Sequence, residues 1–346
     1  MAKSCIFCGQ RPKSKTKEHV IPRWLIEMTG DPKRQVSFGT YNIKNKPPTK
    51  LAFDQLTFPA CDECNGEFSD LEGRARKVTE LLLKKRPLTS TDLNCLLDWL
   101  DKVRTGMWLG HLWLDGNPWG IEPTFYISSR VRRHDRSVGI GWIEGRHPGV
   151  NLVGPESPCF GLLPITMCIF INELALFNSS TVGLCSRRLG FPFFRPDDSA
   201  TPSDGVTEGW IAPGSERIMR PIERIGLLRS QPFVYQPVFE KGVDGALSPA
   251  YDTDYVRQNS YDFNAGLGAL FLQHRGEILK LGANASDAWI PDIAFCLRDA
   301  YRTAMRWAYR KLELGYEAQA KGEWSRLPFS AMHKRIIDAF DKRIGP

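Results

Sequence analysis

Long apolar runs are what this chain of 346 residues most clearly lacks. Its most apolar stretch, Phe160 to Phe170, is broken by Pro164 and followed by Asn172-Glu173, well short of the roughly 20 residues that a bilayer-spanning helix needs. No membrane role is therefore expected. No apolar leader precedes Cys5-Ile6-Phe7-Cys8, so the expected location is cytoplasmic. A glycine-rich phosphate loop is missing, and with it any sign of which nucleotide a regulatory site would bind. Neither internal repeats nor low-complexity tracts occur, which excludes solenoid and fibrous architectures. The nine cysteines are odd in number and do not form a disulfide-like framework, which argues against a secreted, disulfide-stapled scaffold and for a reducing compartment with some thiols on a metal.

What is present is unevenly placed charge. The chain holds 46 basic and 39 acidic residues, a formal +7. Residues 1 to 50 contain eleven Lys or Arg against Glu18, Glu27 and Asp31, a surplus of eight, so the remainder is close to neutral. A basic N-terminal cluster including Lys15, Lys17 and Arg23 suits a phosphodiester partner, because phosphate contacts supply most non-specific affinity. With 42% apolar and 11% aromatic residues the chain can bury a large core, and its length suits two domains.

Two CxxC pairs, Cys5/Cys8 and Cys61/Cys64, enclose Glu18-His19-Val20-Ile21-Pro22, and Asn65 follows the second pair directly. A two-residue gap lets a tight turn aim both sulfurs at one ion, and four thiolates around zinc leave no open position for substrate. Such a site is structural, so chemistry must come from other side chains. His19, between an acidic residue and Val-Ile-Pro, reads as the end of a short strand, where Glu18 and His19 point to opposite faces unless the strand bends. After Cys64 the sequence enters a helix expected to reach Leu83, on which Asn65, Ser69 and Glu72 share one face. An amide and a carboxylate there are hard ligands suited to Mg2+ or Mn2+, and together with Glu18 they outline a divalent-cation site beside an imidazole base. Glu72 has an equally weighted structural reading as a partner of Arg76 at i+4.

The order Cys-x-x-Cys, Glu-His-x-Ile-Pro, Cys-x-x-Cys-Asn resembles the zinc-stapled branch of the HNH, or ββα-metal, endonucleases over about residues 1 to 85. The resemblance implies a hairpin followed by a helix around one catalytic divalent cation. It gives His19 the role of general base and makes Glu18 and Asn65 cation ligands, with Glu72 as an extra one. Two departures stand out. The family's structural Asn before the second CxxC would have to be replaced by Asp54 or Gln55, and the common Lys-Gly after Cys-Asn is absent. Relatives of this kind often serve in restriction or phage defence, and DNA is favoured over RNA as substrate.

Beyond residue 85 the signals are coarser. Thr89-Ser90-Thr91-Asp92 predicts the capped start of a core helix carrying Leu93, Leu96, Leu97, Leu100, Val103 and Met107. Thr124 to Ile143 predicts a hairpin with a polar tip at Arg132 to Arg136, and Ile165 to Asn178 a second hairpin turning at Asn172-Glu173. Arg195 to Ser215 reads as a loop, with strands near Ile222 to Leu228 and Phe233 to Phe239. Helices are expected over Asp292 to Glu313 and Phe329 to Arg343. Arg298, Arg302, Arg306 and Arg310 form a row along the first of these, and with Tyr301, Trp307 and Tyr309 nearby they could follow a phosphate backbone and stack on bases. The Arg132 to Arg136 tip is a second such candidate. For both, a solvated structural face is the competing reading.

The expected fold is therefore α+β: a zinc-bound ββα-metal unit at residues 1–85, then a larger mixed α+β domain at residues 86–346 ending in helices. The expected function is a metal-dependent endonuclease with structural Zn2+ and catalytic Mg2+ or Mn2+, whose second domain recognises the substrate, an activating ligand or a protein partner. The alternative is a non-catalytic, zinc-stabilised nucleic-acid-binding or adaptor protein.

Overall fold

The computed structural model of the chain describes residues 4–13, 16–38, 49–114, 117, 120–181, 193–196, 209–212, 233–238, 259, 261–274, 277–282 and 294–319, with three isolated positions beyond them. It is a mixed α+β protein.

Short strands and one long helix organise the N-terminal part. Strand β1 (Lys17–His19) leads to α1 (Arg23–Met28), then β2 (Gln35–Phe38), β3 (Thr49–Ala52), a single 3-10 turn (Phe53–Gln55), β4 (Thr57–Pro59) and α2 (Asp62–Leu83). β1 pairs antiparallel with β4, placing Glu18 opposite Phe58 and His19 opposite Thr57, while β2 pairs with β3. α2 starts earlier than the sequence pattern suggests, at Asp62, so Cys64 and Asn65 lie within its first turn. Asp62 and Glu63 in that turn complement the positive helix end. Phe68, Leu71, Ala75, Val78 and Leu82, three or four residues apart, form its buried stripe.

Helix α3 (Ser90–Leu114) begins with the expected cap: the Thr89 hydroxyl accepts from the Asp92 amide at 3.1 Å, and the Asp92 carboxylate accepts from the Thr89 amide at 2.8 Å. Every residue from Leu93 to Leu112 is buried. The helix runs through the protein's interior, so even its charged residues must find partners.

After α4 (Ile127–Arg130) the chain builds a sheet from β5 (Arg136–Glu144), β6 (Val150–Val153), β7 (Thr166–Ile171) and β8 (Leu174–Ser180), with α5 (Pro158–Leu162) between β6 and β7. Next come the separate pair β9 (Phe193–Pro196) and β10 (Gly209–Ala212), then β11 (Phe233–Gln236), the small pair β12 (Tyr261–Asp262) and β13 (Leu267–Gly268), and β14 (Leu270–His274), β15 (Glu277–Leu281) and β16 (Ala294–Cys296). The main sheet has the order β15-β14-β11-β5-β8-β7-β6, antiparallel throughout, with β16 added parallel to the far end of β5. Alternation sorts its two faces. Val138, Ile140, Trp142, Met167, Ile169 and Ile171 join the core of α2 and α3. Cys168, Phe170, Phe177, Phe233 and Tyr235 pack against Ala300, Ala304, Trp307 and Ala308 of α6 (Leu297–Gln319). The sheet thus has α3 on one face and α6 on the other. Buried residues on both sides of residue 85, the expected domain boundary, belong to one continuous apolar core.

The second hairpin expected from the sequence is present, with its turn at Asn172-Glu173 and Asn172 at φ 51°. The first is not. Residues 127–130 are helical and only 136–144 form a strand, which pairs with β8 and β11 rather than with the preceding segment. The stretch read as a loop from Arg195 holds strand residues of the β9–β10 pair. The helix expected from Asp292 begins at Leu297, because Ala294 to Cys296 are drawn into the sheet by β5. Ile222 to Leu228 lie outside the described residues, and Phe329 to Arg343 do so almost entirely.

Candidate functional site

The four cysteines converge. A turn after Cys5 is closed by its amide on the Gln10 carbonyl at 2.7 Å and by the Gly9 amide on the Cys5 carbonyl at 2.9 Å. Gly9 sits at φ 78°, a conformation that favours glycine. Cys61 precedes α2 and Cys64 is in its first turn. All four sulfurs lie within 4.8 Å of one another, and Cys8 Sγ to Cys61 Sγ is 3.8 Å. A tetrahedron with metal–sulfur bonds of about 2.3 Å has edges of about 3.8 Å, so this donor set could hold a structural metal such as zinc. Burial would raise the Cys5 thiol, but backbone N–H groups, among them that of Cys61 at 3.3 Å, outweigh it and lower its pKa. Burial and the neighbouring sulfurs push Cys61 up to about 11 and Cys64 higher still. Four thiolates this close together need a cation among them.

Beside this cluster a groove of about 440 Å3 is lined by Lys17, Glu18, His19, Arg23, Trp24, Asp62, Asn65, Ser69 and Glu72, among others. It therefore gathers the candidate base, the three candidate cation ligands and two of the candidate phosphate-binding residues. His19 Nε2 lies 3.0 Å from the main-chain oxygen of Asp54. A carbonyl can only accept, so this contact puts the ring proton on Nε2 and leaves Nδ1 as the basic nitrogen of the neutral imidazole. The Asp54 contact is made by its backbone carbonyl, which any residue could provide, and not by its side chain.

Sequence reasoning missed Lys102. This lysine of α3 reaches the groove wall from behind, its side chain 1% exposed, and donates to Glu18 Oε1 at 2.5 Å and also to Glu72 Oε1. The Trp24 indole N–H donates to the other Glu72 oxygen at 2.7 Å. Burial alone would lower the Lys102 pKa, yet Glu72 and Glu18 outweigh it and raise it. Burial pushes the Glu18 carboxyl above the ordinary range in spite of the ammonium beside it. One expectation for Glu72 changes accordingly: its carboxylate oxygens accept from Lys102 and Trp24, while Arg76, expected to pair with it at i+4, pairs with Glu80 instead, at 3.1 Å. A signal did exist: Asp98, Asp101, Lys102 and Arg104 interrupt an otherwise apolar helical pattern, which implies buried partners.

Two glycines let α3 come this close. Lys102, Gly106 and Gly110 recur every fourth residue, one face of the helix. A Cβ on Gly106 would meet Val20 Cγ1 at 2.8 Å, and one on Gly110 would meet Phe58 Cζ at 2.6 Å. The β1–β4 ladder rests directly on this bare strip.

Apart from Lys17 and Arg23, the basic candidates fall elsewhere. Lys15 lies outside the described residues. Arg23 pairs on the surface with Glu27 at 2.8 Å. The arginine row lies on α6, on the opposite face of the sheet from α3: Arg298 and Arg306 are exposed, Arg302 is partly buried, and Arg310 pairs with Glu313 at 2.5 Å. Trp307 and Tyr309 are buried and the partly buried Tyr301 packs on Phe170, so these rings serve the core. The Arg132 to Arg136 tip is divided, with Arg133 exposed and Asp135 and Arg136 buried. Arg136 is fully buried on Asp98 and Asp101, and Arg132 donates to Asp98.

Comparison of the chain with protein-family models, curated proteins and solved structures finds no match.

Proposed function

We propose that the protein is a metal-dependent endonuclease of the HNH, ββα-metal type. One observation carries this reading: Glu18 and His19 stand on a strand whose antiparallel partner leads straight into α2, and that strand and α2 present their polar residues to one groove beside the four thiols. In this reading the Asp54 carbonyl orients the imidazole, and His19 Nδ1 takes a proton from the attacking water. Glu18 and Asn65 supply a carboxylate and an amide oxygen, a donor set that fits Mg2+ or Mn2+ with water and phosphate completing the shell. When bound, such a cation stabilises the charge that develops on the phosphate and its leaving oxygen. Lys17 at the rim offers a positive charge to the strand being cut.

A second reading, a non-catalytic scaffold that binds nucleic acid or a partner protein, is favoured by one feature. Lys102 already neutralises part of the Glu18/Glu72 pair, and the four cysteines are the single cluster of candidate metal ligands among the described residues. Incubation of the protein and of His19→Ala with supercoiled plasmid and with single-stranded DNA or RNA, in Mg2+, Mn2+ or EDTA, separates the two. Metal-dependent cleavage that falls by about 100-fold or more in the variant supports the nuclease. No cleavage by the intact protein in any metal, with nucleic-acid binding that survives His19→Ala, supports the scaffold; undiminished cleavage by His19→Ala removes His19 as the base.

A further inference from the structure

Glu18 and Glu72 come from different elements, β1 and α2, and would present two negative charges to the same groove. A third element inserts a cation between them. Lys102 is in the middle of α3, its ammonium donates to Oε1 of both carboxylates, and it is enclosed while they remain 12% and 16% exposed on the groove side. The Phe7 ring, 5.9 Å from the ammonium and stacked on Phe68 at 4.7 Å, closes one side of the lysine, and Trp24 fixes the far oxygen of Glu72. A buried ammonium holding two carboxylates leaves the triad with one net negative charge instead of two.

We infer that Lys102 is a positioning residue that fixes the Glu18 carboxylate toward the groove and, by cancelling one charge, holds the groove's affinity for divalent cations low. Two carboxylates side by side attract a divalent ion strongly in a partly desolvated site, and an ammonium in hydrogen-bond contact with both opposes that ion at short range. This inference rests on the nuclease reading for its meaning but not for its test.

Isothermal titration of the zinc-loaded full chain with Mn2+, without nucleic acid, reads the effect directly. Lys102→Met, which keeps the length of the side chain, is expected to bind Mn2+ roughly tenfold or more tightly than the wild type. Lys102→Arg, which keeps the charge, is expected to stay weak. The double variant Glu72→Gln/Lys102→Met, with one net negative charge again, is expected to return towards wild-type affinity. A Lys102→Met protein of unchanged circular dichroism and zinc content that binds Mn2+ no more tightly than wild type would overturn the inference. Should that variant fail to fold, Glu72→Gln alone decides, because it leaves the triad neutral and must weaken Mn2+ binding several-fold; unchanged binding counts against the proposal. The titration contains no cleavage step. Failure of the plasmid assay with a Mn2+ gain in Lys102→Met removes the nuclease reading alone, and His19-dependent cleavage without that gain removes the lysine inference alone.

Discussion

Adjacent positions on α3 feed two charge clusters with opposite exposure. On one side Lys102 joins Glu18 and Glu72 at the wall of the groove. Toward the sheet Asn94, Asp98 and Asp101, at i, i+4 and i+7, meet the β5 and β11 side chains Arg136 and Gln236: Arg136 donates to Asp98 at 2.6 Å, to Asp101 at 3.2 Å and to Gln236 at 2.8 Å, and Gln236 donates to Asn94 at 2.6 Å. Arg104 adds donors to Asp101 and to the carbonyl of Pro164. The pairing chemistry is the same, but the sheet-side groups are sealed while the groove-side carboxylates keep one edge toward water. A sealed network must satisfy every donor and acceptor internally and so specifies how α3 docks on the sheet. A cluster with an open edge can exchange partners, which is what a binding site requires.

The largest test of this contrast acts on the groove side through the metal cluster. With zinc on the four thiols, Cys61→Ser or stripping of the metal by a strong chelator is expected to cost on the order of 10 kcal/mol of binding and folding free energy for the β1–β4–α2 region. Zinc content, and hydrogen exchange along 16–28 compared with 136–144, would show whether the loss stays local. Next in size is the sealed network. Arg136→Met takes a buried guanidinium from Asp98, Asp101 and Gln236, leaving the carboxylates only Arg132 and Arg104, so a loss of about 3 kcal/mol in denaturant unfolding is expected, more than for Lys102→Met, whose carboxylates can rehydrate. Equal losses would erase the distinction between the clusters. Gly110→Val targets the bare strip that brings α3 against Phe58 and is expected to cost about 1–3 kcal/mol, lowering Tm.

The most gradual effect concerns pH. Burial, with Arg130 nearby, lowers His134 to about 3, so this histidine is neutral in the folded protein but protonates near its ordinary value of about 6.5 when unfolded. The unfolded state then binds the extra proton between these values. His134 contributes stability above pH 6.5 that is lost as pH falls towards 3, by at most about 1.4 kcal/mol per pH unit. His134→Gln should flatten that part of the pH–stability curve.

Local patterns were legible because their physics is local. The cysteine turns, the strand ending at His19, the α3 cap at Thr89 and Asp92, and the β7–β8 hairpin depend on residues within a few positions of one another. The misread segments depended on distant partners. Arg132 to Arg136 resembled a solvated tip until Asp98 and Asp101 claimed it, and Ala294 to Cys296 left a helical pattern to pair with β5. Glu72 looked like an Arg76 partner because its actual contacts, Trp24 and Lys102, are 48 and 30 residues away.

By itself the sequence determined the composition of the site: four thiols in two short-spaced pairs, a Glu-His on a strand and an Asn in the first turn of a helix, all set by short spacings. Only the tertiary structure decided the electrostatic state of that site. Whether two carboxylates face water, a cation or a buried ammonium depends on which helix packs behind them, and the close approach of α3 along Gly106 and Gly110 places Lys102 there.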